Sequence, residues 1–562
     1  MPRTNQKLAK QYRARGWWSD TTLDDLFRRC VAERPEHLAL VDPPNRESLT
    51  DGAVGRLSFA QLETEVEVLC QVLRAAGFAR GDRLITQLPN VWEHVAVYLA
   101  GARLGIALSP LSMLARQFEL RHAIELLAPK AILTTARFKD TSPVQLALEC
   151  AAGAIPVYAF GRELPSGARS IDALCSSAAA TERSGAAESG ADADDIYTIC
   201  WTSGTEGVPK AVPRTHNEWI AISWAHFDAT GIGRDDRLLS PFPLVNMASI
   251  GGCFTSWLHA ACTLHLHHPL DLPVFLQQIV SERITYTVTP PAVLNMLLKN
   301  EVLLAAADLS SLRSIGSGSA PLSDWMIRGY RDRFGIEIVN LFGSNEGVSL
   351  VSGPAEAPDP ADRAQYFPRF GRAGIAWDAR IAAMIETKLI DTESGLEIES
   401  SGKPGELVVR GPSVFAGYIG PDELNAAAFT ADGFYRTGDV FEIAGSGELP
   451  RFYRYVGRSK QIIARGGMKI SPDELEHLLA GHPALLEAAA AGCPDEIMGE
   501  RVCVVAVPKP GAEVSLDSIR DFLIERGAAV YKLPEKLVIA SSLPRNPMGK
   551  VIRAELAVLA AG

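Results

Sequence analysis

None of the nine cysteines (Cys30, Cys70, Cys150, Cys175, Cys200, Cys253, Cys262, Cys493 and Cys503) forms a CxxC pair, and the count is odd. This spacing offers neither a zinc site nor a disulfide framework, so reduced thiols in a cytoplasmic protein are expected. Basic charge is also short: 55 Lys and Arg stand against 66 Asp and Glu, a formal charge of −11 with no basic stripe. That argues against nucleic-acid binding. Long apolar runs are missing, since Val95 to Leu114 is interrupted by Arg103 and Pro110. A membrane span needs an unbroken run of that length. Met1 to Arg15 is basic and polar, without the apolar segment of a secretory signal. What remains is an ordinary globular composition, 47% hydrophobic and 22% charged over 562 residues. The length exceeds that of one compact domain.

The chain alternates strand-like and helical patterns. Leu57-Ser58-Phe59 precedes apolar residues at helical spacing (Leu62, Val66, Leu69, Leu73). Arg83 to Leu88 reads as a strand, Val91 to Leu104 as a helix and Lys130 to Thr135 as a further strand. This rhythm predicts an α/β fold: a large N-terminal domain of helix-covered, mostly parallel sheets. Ser176 to Asp195, rich in Ala, Ser, Gly and acids, reads as a loop entering a strand at Ile196 to Trp201. The last hundred residues read as a small α+β domain. Ser471-Pro472-Asp473-Glu474 signals a helix start, Val502 to Val507 a strand, Leu516 to Arg526 a helix capped by Ser515, and Lys536 to Ala540 a strand. Expected boundaries are 1–457 for the large domain, 458–462 for a hinge and 463–562 for a mobile lid.

Between them lies Thr202-Ser203-Gly204-Thr205-Glu206-Gly207-Val208-Pro209-Lys210. Hydroxyls and backbone N–H groups can donate to phosphate oxygens there, glycines admit the main chain, and lysine balances charge. It is not a Walker A loop, because it ends Pro-Lys-Ala. Downstream follow Gly316-Ser317-Gly318-Ser319-Ala320-Pro321, then Leu341-Phe342-Gly343-Ser344-Asn345-Glu346-Gly347 and Tyr435-Arg436-Thr437-Gly438-Asp439. Gly457-Arg458-Ser459-Lys460, Gly466-Gly467-Met468-Lys469-Ile470 and Pro544-Arg545-Asn546-Pro547-Met548-Gly549-Lys550 complete the set. In this order and spacing, over nearly the whole length, the chain resembles the adenylate-forming superfamily. That group comprises acyl- and aryl-CoA synthetases, stand-alone aryl-acid adenylating enzymes and luciferases. Tyr12 to Trp18 and Gly81 to Asn90 look like the branch of aryl-acid and cyclic-acid enzymes.

The resemblance implies a two-step reaction: a carboxylate attacks the α-phosphate of MgATP, then a thiol displaces AMP from the acyl-adenylate. It implies Thr202, Ser203, Gly204, Thr205, Gly207 and Lys210 at the phosphates. Gly318, Ser319, Ala320, Phe342, Gly343, Ser344 and Asn345 would lie around the nucleotide. Glu346 would hold Mg²⁺, Asp439 and Arg458 the ribose, and Lys550 the carboxylate and α-phosphate. Asn246, Gly318 and Gly343 would face the acid, Lys460 would be the hinge, and Gly467 would line a pantetheine tunnel with Arg465 and Lys469 near CoA phosphates. Each residue alone has a plainer reading: Phe342 as core, Glu346, Asp439 and Lys550 as solvated charges, Arg458 as an ion pair. Glu206 stands where threonine is commoner, Asn345 where threonine precedes the metal glutamate, Asn246 where histidine is frequent, and Gln461 where an acid is usual. The resulting expectation is an acid–CoA ligase, monomeric or dimeric, using ATP, Mg²⁺ and CoA on an aromatic, alicyclic or medium-chain acid. The alternatives are an AMP ligase loading a carrier-protein thiol and a non-catalytic ATP-binding protein.

Overall fold

A computed structural model describes residues 6–180, 190–202, 208–305, 307–318, 322–391, 394–447, 449–458, 463–470, 472–479, 482–544, 551 and 553–562. Two mostly parallel sheets dominate. One has seven strands, in the spatial order 168–170, 157–160, 131–135, 83–86, 107–110, 196–202 and 210–215. All its pairings are parallel except the last, where Ile196–Thr202 and Lys210–Thr215 form an antiparallel hairpin. The other has eight strands and is parallel except at its edges, 56–58 and 349–352. Its inner strands include Tyr286–Val288, Ser314–Gly318 and Glu337–Gly343.

One apolar core joins the two sheets, with Leu84 and Leu108 from one, Leu40 and Leu264 from the other, and Phe59, Trp219 and Trp257 from helices between. Helix Trp92–Leu104 buries every residue but Trp92, as expected for a helix without a polar face. Its Arg103 is fully buried and is neutralised by Asp24 at 2.9 Å and by Glu63 and Glu67 at 2.8 Å. A buried charge requires such pairing. No helix among the described residues is long and apolar enough to cross a membrane.

A third sheet, antiparallel, has six strands between 366 and 458 and packs aromatic residues against the eight-stranded sheet. The sequence reading did not anticipate it. The C-terminal part is a separate α+β unit: strands 463–465, 468–470, 485–495, 499–508 and 536–539, with helices Pro472–Leu479 and Leu516–Glu525 over their own core. Ser515 caps the second helix by accepting from Ser518 N. Two expectations need correction. Helix Ile171–Ala179 takes in Ser176 to Ala179, because Ser170 caps it and its alanines propagate it. Arg458 is not hinge loop; it ends strand Phe452–Arg458, paired with Asp439.

Candidate active site

A cavity of about 1090 Å³ opens where these pieces meet. The hairpin register sets Thr202 opposite Lys210, so the strand ends bring both to the cavity wall. The intervening Ser203, Gly204, Thr205 and Gly207 lie outside the described residues, as do Ser319, Ala320, Lys460 and Lys550.

Strand Glu337–Gly343 delivers the next group. Gly318 lies against it so closely that a Cβ there would stand 2.0 Å from Leu341 O, so backbone forms this wall. Phe342 is half-buried at the cavity, with Phe441 edge-on at 5.1 Å and Phe367 at 5.8 Å fixing its ring. Gly343, Ser344, Asn345 and Glu346 follow along the wall. The Ser344 hydroxyl oxygen is buried and has no hydrogen-bond partner among the described residues. Such an atom suits a polar ligand. The Asn345 side chain bridges two segments: Nδ2 donates to Trp201 O at 3.1 Å, and Oδ1 accepts from Met247 N at 2.8 Å. That bond uses one of its two amide hydrogens.

The turn carrying Glu346 is pinned from below. Arg214, fully buried, donates to Asn345 O at 2.7 Å and to Ser413 O at 2.9 Å. Phe415 N donates to Glu346 O at 2.8 Å. The Glu346 carboxylate accepts from the Tyr418 hydroxyl at 2.7 Å. Burial and that carboxylate hold the Tyr418 phenol well above its ordinary pKa, so it stays a donor. The Lys210 ammonium lies 5.0 Å from the Tyr418 ring centroid. A carboxylate and an ammonium thus flank one tyrosine. This is a suitable setting for Mg²⁺ and phosphate, since hard cations take carboxylate oxygen. Tyr418 was missed in the sequence, where a single Gly-Tyr carries no signal.

Asp439 lines the cavity and its backbone pairs with Arg458, which puts the two expected ribose ligands at adjacent strand positions. Asn246 also lines it, but its Oδ1 caps the short helix Met247–Ser249, accepting from Ala248 N at 3.1 Å. Gly466, Gly467 and Met468 of the small unit reach the same cavity. Gly467 has φ +84°, a left-handed conformation that favours glycine. Arg465 is half-buried, and its guanidinium donates to Glu535 at 2.8 and 2.7 Å within the small unit. Lys469 lies in strand Met468–Ile470, paired through Ala464.

Residues 27–419 match the family model described as AMP-binding enzyme, and 474–550 match AMP-binding enzyme C-terminal domain. The chain is 30% identical over 97% of its length, and 94% of the relative, to 2-hydroxy-7-methoxy-5-methyl-1-naphthoate–CoA ligase of Streptomyces carzinostaticus. It is 29% identical over 97% of its length, and 95% of the relative, to the vibriobactin-specific 2,3-dihydroxybenzoate-AMP ligase of Vibrio cholerae. Its fold matches the solved structure of amide bond synthetase McbA from Marinactinospora thermotolerans with a TM-score of 0.78, at 23% identity over 96% of this chain and all of that one.

Proposed function

The chain belongs to the AMP-binding enzyme family of adenylate-forming ligases, and from that premise we propose that it is an acid–CoA ligase. The carboxylate oxygen of an aromatic, alicyclic or medium-chain acid attacks the α-phosphorus of ATP, the bond to the β-phosphate breaks, and pyrophosphate leaves. A thiol sulfur then attacks the acyl carbonyl, the acyl–oxygen bond breaks, and AMP leaves.

The supporting observation is the convergence of Lys210, Glu346, Asp439 and Gly467 on one cavity drawn from both parts of the chain. Lys210 balances phosphate charge, and the backbone walls at Gly318 and Gly343 let the nucleotide approach. Glu346 would hold Mg²⁺, which supplies charge neutralisation at the phosphates. Tyr418 orients the carboxylate, and Arg214 fixes its turn. Lys550 is assigned to the carboxylate and α-phosphate by family pattern. Gly466 to Met468 at the cavity support a part for the small unit in the thiol-transfer step. We assign residues 459–462, which follow strand Phe452–Arg458, as the hinge about which it would turn for adenylation.

A second reading is an AMP ligase that loads a phosphopantetheinyl carrier protein. One observation favours it: the Arg465–Glu535 pair removes a cation expected for the nucleotide end of CoA. Pyrophosphate release and thioester formation over a panel of carboxylic acids, with free CoA or a phosphopantetheinylated carrier, separates the two. Thioester with free CoA is the expected result; thioester on the carrier alone overturns the CoA assignment and leaves the adenylation standing.

A further inference from the structure

One polar side chain at the cavity has no task in the nucleotide chemistry. His226, on helix His216–Thr230, is only 5% exposed yet lines the cavity. Its Nε2 finds no hydrogen-bond partner among the described residues. A buried nitrogen left so is costly unless a ligand completes it.

A glycine borders the ring edge. Gly252 faces it across the cavity wall: a Cβ there would stand 3.5 Å from Cε1 and 3.8 Å from both ring nitrogens. Gly252 belongs to the π-helical turn Ile250–Phe254, directly after the short helix capped by Asn246. Such turns are rare and recur at functional sites. Tyr286 packs edge-on behind the imidazole at 5.3 Å. Its hydroxyl is so close to Gly316 that a Cβ there would lie 2.3 Å away. The apolar part of the cavity lining includes Phe242, Val245, Met247, Val288 and Leu341. Burial alone pushes the imidazole down to about 4, so near neutrality it carries one N–H and one lone pair and no charge.

Building on the acid-activating function above, we propose that His226 sets acid specificity. The acid it selects has an apolar body ending, away from its carboxylate, in an uncharged hydrogen-bonding substituent, a hydroxyl or an amino group. A second carboxylate would find no compensating charge at a neutral ring. An apolar isostere of the hydroxyl would leave the buried nitrogen unpaired, the situation in which binding sites discriminate most strongly.

The test uses matched hydroxyl and methyl pairs: 3-hydroxybenzoate and 3-methylbenzoate, 4-hydroxyphenylacetate and 4-methylphenylacetate, 6-hydroxy-2-naphthoate and 6-methyl-2-naphthoate. ATP–pyrophosphate exchange gives kcat/KM for each, and the acid-induced shift in Tm gives binding without turnover. In at least one pair the wild type should favour the hydroxyl member about a hundredfold. His226→Leu should cut that ratio below about threefold while keeping exchange with the methyl member; His226→Gln, which retains a donor and an acceptor, should restore about tenfold. Gly252→Ala, which covers the ring edge with the histidine intact, should also lower the ratio and serves if the leucine variant fails to fold. A wild type that favours the methyl members, or ratios unchanged in His226→Leu and Gly252→Ala, overturns the assignment of His226 alone. A wild type that adenylates no acid overturns the proposed function and this inference with it.

Discussion

The glutamate beside Tyr418 is where a single residue has the largest expected effect. Glu346→Gln keeps shape and hydrogen bonding but removes the charge that a hard cation requires. ATP–pyrophosphate exchange should fall by about a hundredfold, with the Mg²⁺ dependence shifted to higher concentration and Tm nearly unchanged. Exchange unaltered across a magnesium titration would remove Glu346 from the site. Legibility at this scale was uneven for physical reasons. Glu346, Asp439 and Lys210 stand in ordered patterns, and the structure sets all three at one cavity. For Arg465 the sequence shows the charge but not the carboxylate 70 residues away with which it pairs. His226 and Tyr418 were invisible, since a lone ring in a helix or loop becomes a site residue only through what packs around it.

Among elements, the Gly466–Gly467 turn between two short strands carries the sharpest test. A Cβ on Gly467 would meet Pro290 at 3.4 Å, so a longer side chain would crowd the turn that borders the cavity. Gly467→Leu should lower thioester formation by about a hundredfold while pyrophosphate exchange stays within about threefold. Equal loss in both assays would mean that the turn serves adenylation too, and Gly467→Ala separates backbone strain from obstruction. Parallel strands and their helices were readable from alternating patterns, as at Arg83–Thr86 and Trp92–Leu104. The antiparallel sheet between 366 and 458 was not. Its strands run from two to ten residues, and their partners are fixed by aromatic packing against another sheet rather than by local pattern.

For the whole molecule, buried histidines set the acid limit. Desolvation pushes His94, His259 and His268 down to about 3 and His216 and His226 to about 4. Folded rings stay neutral between about pH 4 and 6.5 while unfolded ones take a proton, so their contribution is full above pH 6.5 and lost as pH falls. Each adds a slope of up to about 1.4 kcal/mol per pH unit. Glu93 and Glu218, pushed up to about 7 by burial, act in the opposite sense, as do Asp42, Glu63, Glu65 and Glu500. But His37, His267 and His482 are lowered too, so six carboxylates stand against eight histidines. Urea midpoints should therefore drop from pH 6.5 to 4.5; a flat or rising series would contradict the burial of these rings as neutral groups. The scattered cysteines take on a different meaning beside this chemistry. Cys200 and Cys253 adjoin the wall residues Trp201 and Gly252, yet both are buried and their thiols are pushed up to about 12. Among the described residues no cysteine lines the cavity. An acyl-adenylate is a mixed anhydride that thiolates attack readily. Under the proposed function the protein therefore withholds its own sulfur from the activated acid, which would escape self-acylation until an acceptor arrives from outside.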